Sequence, residues 1–171
     1  MQKTTFFSGL ALASTLLLAA LPAQAQQLVP AQSSVEFTAK QMGVPLQGHF
    51  KKFDAQVAFD PAKLAASRIR FTVDTGSATM GARETDAELP KAPWFNVPQF
   101  PQATFESSAI KALGGGKFDV AGKLTIKGTA VNVSVPVALV QSGATTTATG
   151  VLPLKRLAFK IGDGEWADTS M

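Results

Sequence analysis

Apolar and polar residues alternate along most of the chain after residue 30. The longest alternation sets Val131, Val133, Val135, Val137 and Leu139 on one face, with polar or small residues between them. Because successive side chains of a β-strand point to opposite faces, a period of two predicts a strand with one apolar face. Further strands are predicted at residues 35–39, 50–59, 69–73, 103–107, 118–126 and 145–154, which gives seven or eight in all.

Turn residues separate these runs. Asp60 and Pro61 end one strand, and three consecutive glycines, Gly114, Gly115 and Gly116, are typical of a hairpin. Residues 78–97 interrupt the pattern, and their charged positions predict a partly exposed helical or loop insertion. Closely spaced strands around one insertion predict an all-β fold, either an antiparallel up-and-down barrel or a sandwich.

The apolar strand faces can point to a protein interior or to lipid, because strands of outer-membrane barrels also alternate. The chain has no tyrosine and only two tryptophans, Trp94 and Trp166, which is poor material for two aromatic girdles. The opposite face carries single Lys and Arg residues, as a solvated surface does. These features favour a soluble barrel without stable membrane insertion, and leave the outer-membrane barrel as the alternative.

The first 25 residues differ from the rest. Lys3 precedes an apolar run over residues 10–21, and Ala23 and Ala25 are small residues at the positions that signal peptidase reads. We therefore predict a cleaved signal peptide at 1–25 and one domain at 26–171. A retained anchor is the less favoured alternative, since the run is shorter than the roughly 20 residues that cross a bilayer. Export without any cysteine is compatible with a bacterial periplasm.

Composition excludes several kinds of chemistry. The absence of cysteine rules out disulfides, iron–sulfur clusters and thiol catalysis, and the one histidine, His49, is expected to be a surface residue. We therefore predict no metal site. Lys3 accounts for one of the four net positive charges, and the remaining +3 is scattered, so we expect neither a nucleic-acid groove nor a polybasic membrane patch.

No enzyme signature occurs: there is no nucleophile elbow, no phosphate-binding loop and no histidine placed to activate a nucleophile. Asp86 and Glu88 could in principle act as the two carboxylates of a hydrolase. That alternative predicts two converging carboxylates, one with a raised pKa. Binding without catalysis is the favoured interpretation.

Five strings, in a fixed order, resemble the YceI-like family of exported polyisoprenoid-binding proteins. They cover nearly all of the predicted domain, and they are VPLQGHFKKFDAQVAFDP at 44–61, VDTGSAT at 73–79, WFNVPQFPQATF at 94–105, VAGKLTIKG at 120–128 and GEWADTS at 164–170. The resemblance implies a lipocalin-like barrel of about eight strands. It also implies a ligand, a long-chain isoprenoid lipid, an isoprenoid quinone or a fatty amide, with no other cofactor.

Two departures from the family pattern affect these expectations. Family members usually continue past the last string into a further strand, whereas this chain ends at Met171. An unpaired edge left there would allow strand addition from a second copy, so a homodimer is possible. Glu88 stands where the family commonly has histidine, which puts a headgroup contact there in doubt.

The predicted ligand-contacting residues are the inward-facing apolar side chains and those of the insertion. The alternative is that the strand residues only fill a core and that the insertion residues only dock a helix on the barrel, which would make the protein a structural or stress-protective barrel without a ligand. The candidate residues are Phe37, Phe50, Val57, Phe71, Met80, Leu89, Trp94, Phe95, Phe105, Phe118, Leu124 and Val133.

Overall fold

The protein is described here by a computed structural model that covers residues 25–41 and 43–168. The predicted signal peptide, apart from Ala25, lies outside the described residues. The strands are β1 (Val35–Gln41), β2 (Val44–Phe50), β3 (Phe53–Ala58), β4 (Arg68–Asp74), β5 (Ala78–Thr79), β6 (Gln102–Gly114), β7 (Lys117–Ile126), β8 (Thr129–Ser142) and β9 (Thr145–Gly150), and the α-helix is α1 (Arg83–Glu88).

The strands form two antiparallel sheets. The smaller has the order β1-β2-β5, and the larger has the order β3-β4-β6-β7-β8-β9. Neighbours in the larger sheet follow one another along the chain, apart from the insertion between β4 and β6, as an up-and-down meander requires. The sheet is strongly curled, so the fold is a half-barrel of the predicted all-β class.

Three hydrogen bonds join the two sheets where the chain bends. The backbone N–H of Lys51 donates to the carbonyl of Ser77 over 3.1 Å, and that of Asp74 donates to the carbonyl of Lys52 over 3.0 Å. The hydroxyl of Ser77 accepts from the N–H of Lys52 at 3.0 Å. β2 and β3 therefore act as one long bent strand. β2 pairs with β5 and β3 pairs with β4, so β4 and β5 follow the same bend.

Register decides which side chains face the concave side of the larger sheet. Phe71 lies opposite Phe105, Phe105 opposite Leu124, and Leu124 opposite Val131. One residue along, a polar row crosses the convex side, where Arg70 Nε lies 3.6 Å from Glu106 Oε1. This cross-strand alternation confirms the apolar and polar faces that the sequence pattern predicts.

The insertion differs slightly from its predicted bounds. Its first two residues, Ala78 and Thr79, form β5 because Thr79 pairs with His49 of β2. The helix is one short segment, and turns carry the chain from Leu89 to β6. At the other end of the sequence, β9 stops at Gly150 and the predicted strand does not reach residue 154.

The insertion and the segment 156–168 close one end of the half-barrel. Lys127, in the two-residue turn between β7 and β8, is 8% exposed, and its ammonium donates to the carbonyls of Pro93 and Lys160. Arg156 donates to the carbonyls of Ile161, Gly162 and Trp166. Lys127 thereby joins the backbone of the insertion to that of the final segment, and Arg156 holds the turns of the final segment together.

Candidate functional site

The concave face is lined by aromatic rings that remain partly open to solvent. Ten phenylalanines lie in the described residues, and only Phe159, at 2% exposure, is among the fully buried apolar side chains. The other nine are half-buried. Phenylalanine in a filled core is normally buried, so the concave side is an apolar surface that solvent partly reaches.

The rings form three groups along this surface. Phe50 contacts Phe37 and Phe95, with ring centroids 5.2 and 5.7 Å apart, and so links the smaller sheet to the insertion. Phe53 stacks on Phe71 at 5.9 Å in the middle of the half-barrel. Near the opposite end, Phe59 and Phe118 meet edge to face at 5.2 Å. Apolar contact is therefore available from one end of the half-barrel to the other.

Two glycines within strands make room for these rings. A Cβ on Gly48 would collide with the ring of Phe37 and with the carbonyl of Thr79. A Cβ on Gly122 would collide with the ring of Phe105 and with the carbonyl of Glu106. Sequence reasoning did not assign these glycines to the site, although a glycine inside an alternating strand is a signal of close approach.

A cleft of about 950 Å³ opens where the smaller sheet meets β3. Its apolar wall includes Phe37, Phe50, Phe53 and Met80, and Lys51 lies among its polar residues. The volume is in the range of small-molecule sites, and the mixture of apolar wall and polar rim suits an amphipathic ligand with one polar end.

The structure places the predicted residues in three regions. Met80 and Phe95 join Phe37 and Phe50 at the insertion end, while Leu89 is only 7% exposed and belongs to the core there. Trp94 contacts Trp166 at a centroid distance of 5.8 Å, on the side of the final segment. The remaining predicted residues lie on the strands of the larger sheet, and they are Val57, Phe71, Phe105, Phe118, Leu124 and Val133.

Phe53 and Phe59 also belong to the aromatic surface, although they were not among the predicted site residues. Phe59 continues the alternation of Ala55 and Val57, so the same period of two could have found it. Phe53 lies one residue after the bend at Lys51 and Lys52. Phe53 has the same parity as Ala55 and Val57 in β3, so this alternation could have found it as well. The bend accounts for the change of parity between Phe50 and Phe53.

Asp86 anchors α1 to β5. Its carboxylate accepts from the backbone N–H of Met80 and from the hydroxyl of Thr79, both over 2.6 Å. These two hydrogen bonds, the backbone one first, lower the pKa of Asp86 from its usual 3.8. Glu88 forms an ion pair with Lys91. The hydrolase alternative requires a raised pKa in such a pair, and Asp86 shows the opposite direction.

In the part of the chain that the structure describes, no group of three or more His, Asp or Glu residues is arranged to hold a metal ion. No helix in those residues is long and apolar enough to span a membrane. The rings and the cleft described above make the half-open aromatic surface the candidate site.

Comparison with known proteins gives the family. A family model described as the YceI-like domain matches residues 26–170, which include every described strand. The chain belongs to the YceI-like family. A UPF0312 protein of Vibrio parahaemolyticus is 30% identical over 148 residues, covering 84% of this chain and 77% of the relative.

Solved structures agree with the YceI-like fold. Burkholderia cenocepacia BcnA is similar with a TM-score of 0.81 and 51% identity, over 84% of this chain and 91% of that one. A polyisoprenoid binding domain from Saccharophagus degradans is similar with a TM-score of 0.59 and 14% identity, over 75% of each chain. At that identity the second likeness concerns the fold alone.

Proposed function

We propose that this YceI-like protein binds a long-chain apolar lipid, such as a polyisoprenoid or an isoprenoid quinone, along the concave face of its half-barrel. The observation that carries the proposal is the row of half-buried phenylalanines along the concave face, together with the cleft of about 950 Å³ beside Phe37, Phe50 and Phe53. A flexible apolar chain would cover these rings and remove them from water. The polar end of the lipid would lie in the cleft beside His49, Lys51 and Lys52.

The energetics favour a carrier over a permanent store. Burying about ten methylene equivalents gives roughly 8 kcal/mol of transfer free energy. Association costs roughly 4–15 kcal/mol in lost freedom, and a membrane already keeps the lipid tail out of water. Net affinity relative to a bilayer is therefore modest, which lets the protein take up a lipid and release it.

Two further parts of the proposal come from the sequence and the family. The signal-like residues 1–25 support export to the periplasm, with the mature chain starting at Gln26. The fold shared with a polyisoprenoid binding domain supports the choice of lipid class. We propose binding without catalysis, because the site consists of apolar rings and Asp86 is a structural anchor.

The rival function is a structural or stress-protective barrel without a ligand. A filled barrel of that kind would bury its phenylalanines in its own packing. Phe159 is buried in this way, whereas Phe71 and Phe105 are not. The exposure of the rings favours the lipid-binding function.

Titration of the delipidated domain, residues 26–171, with an isoprenoid quinone tests the proposal. The variant W166F leaves Trp94 as the only tryptophan, so quenching reports the binding. Saturable quenching at one quinone per chain is expected. Absence of saturation, together with absence of lipid from an organic extract of the purified protein, would contradict the proposal.

A matched pair of variants locates the ligand. F105A removes a ring from the concave face, and T104A changes the neighbouring residue on the convex face of the same strand. F105A is expected to weaken quinone binding about tenfold, or roughly 1.4 kcal/mol. T104A should leave affinity within about twofold of the parent.

N-terminal sequencing of protein recovered from a periplasmic fraction tests export, and a start at Gln26 is the expected result.

A further inference from the structure

Two hairpin tips stand side by side at the end of the half-barrel away from the insertion. They are the β6–β7 turn at Gly114–Gly116 and the end of β8 before Gly143, joined by a hydrogen bond of 2.8 Å from the N–H of Leu139 to the carbonyl of Gly116. β6 continues for eight residues past its last pairing with β4 at Glu106, so the tips project beyond the β4 side of the sheet.

The tips expose apolar side chains beside lysines. Leu113 is 62% exposed and Val140 is 65% exposed, although each belongs to a paired strand. Val140 lies on the convex side, because its neighbour Leu139 is in the concave register with Ala148. Lys111 and Lys117 flank Leu113 along the chain, and both are exposed. We call Lys111, Leu113, Lys117 and Val140 the hairpin-tip surface.

Basic residues outnumber acidic ones in the second half of the sequence. Residues 107–162 contain seven basic residues and one acid, Asp119, for a formal charge of +6. The rest of the chain is therefore at −2. The Asp119 carboxylate accepts a hydrogen bond of 2.6 Å from the hydroxyl of Ser134. Lys127 and Arg156 lie at the closed end of the half-barrel, so the basic residues of the hairpin-tip surface are Lys111 and Lys117. Asp119 is the cross-strand partner of Lys111, which leaves these two hairpin strands with a small positive charge at the tips.

An anionic bilayer complements this combination. Leucine and valine side chains enter the boundary between headgroups and acyl chains, and lysines beside them are attracted to anionic headgroups. Phe118 follows Lys117 directly and begins the aromatic surface with Phe59. A half-barrel docked by its tips would thus present the start of its concave face to the membrane.

We propose that the hairpin-tip surface docks on anionic phospholipid bilayers and that lipid exchange takes place there. The exchange step rests on the proposed lipid-binding function, whereas the docking step does not. Docking of this kind is peripheral and reversible.

Flotation with vesicles tests the docking step. The domain 26–171 is mixed with vesicles of equal parts phosphatidylglycerol and phosphatidylcholine, or with phosphatidylcholine alone. Binding is expected to the anionic vesicles and to be lost at high salt. L113D with V140D, and separately K111Q with K117Q, should each reduce binding at least about tenfold.

The control makes the same changes away from the tips. Val151 and Leu154 are 74% and 47% exposed, so V151D with L154D matches the apolar-to-acid change. K155Q with K160Q matches the lysine change. These variants should bind anionic vesicles within about threefold of the parent, and circular dichroism should show that every variant keeps the parent's β signal.

Equal binding to neutral and anionic vesicles, or parent-like binding by both tip variants, would overturn the proposal. A protein that binds no vesicles and has a dimeric mass, which L113D with V140D abolishes, would also overturn the proposal. That result would show that a second copy covers the surface.

Quinone added from detergent separates the two proposals. Tip variants that bind detergent-delivered quinone but take up little from vesicles support both steps. A parent domain that floats with vesicles but never binds quinone leaves docking intact and removes lipid binding.

Discussion

Replacing Phe105 and Phe159 separately by alanine measures whether the concave face is open. Phe159 is 2% exposed, and Phe105 is half-buried over Gly122. Removal of a fully buried phenylalanine leaves a cavity and typically costs about 3–5 kcal/mol. Removal of Phe105 loses less buried apolar area than removal of Phe159 does, because solvent already reaches the ring of Phe105. It also leaves no closed cavity.

The expected cost for F105A follows from its partial burial. Full burial of a phenylalanine side chain contributes about 1.5–3 kcal/mol, so a half-buried ring that leaves no cavity should cost about 1–1.5 kcal/mol. F159A should therefore destabilise the domain by about 2 kcal/mol or more beyond F105A. The assay is urea unfolding of delipidated protein, with the midpoint and the slope both measured.

A saturating lipid should increase the cost of F105A relative to the parent. A ligand present at about one hundred times its dissociation constant stabilises the parent by about 2.7 kcal/mol, and F105A should gain less because it binds more weakly. Equal costs for the two variants in delipidated protein would refute the reasoning, since the concave face would then be as tightly filled as the site of Phe159.

Three other predictions concern the contacts that hold the insertion and the termini. Hydrogen bonds lower the pKa of Asp86, so the ionised carboxylate stabilises the fold fully above its usual pKa of 3.8. That stabilisation is lost as pH falls through the lower pKa of the folded state. D86N should therefore flatten the decrease of Tm below about pH 4. R156A removes donors to four carbonyls of the final segment and should cost about 1–3 kcal/mol, with faster proteolysis after residue 155, as read by mass spectrometry. Gln26 exchanges two side-chain hydrogen bonds of 2.9 Å with the backbone of Phe59, so Q26A should cost about 0.5–1.5 kcal/mol in urea unfolding, and an unchanged midpoint would contradict that contact.

Most of the strand pattern was predictable because it depends on local geometry. The alternation of Val131 to Leu139 requires only that side chains of a strand point to opposite faces, and the structure places it in β8 as predicted. The glycine hairpin at 114–116 and the turn at Gly128 are also local. The bend at Lys51 and Lys52 was not predictable, since it depends on hydrogen bonds to Ser77, 25 residues away.

The strand faces that make up the candidate surface were predictable, whereas the directions of the side chains in the insertion were not. Parity alone assigned Phe71, Phe105 and Phe118 to one face, and the structure confirms that face. It could not distinguish Leu89, which is buried, from Phe95, which contacts Phe50. Both lie in the insertion, where no regular period relates sequence position to direction.

The sequence by itself determined the strands, the apolar side of each strand, the signal-like first 25 residues and the YceI-like resemblance, because each of these is set by neighbouring residues or by short strings in order. Only the tertiary structure decided that the apolar side is half-open, that Lys127 and Arg156 hold one end closed, and that Leu113 and Val140 emerge beside lysines at the other. Curvature and distance between faces determine how much space the rings fill, and those depend on all the strands at once.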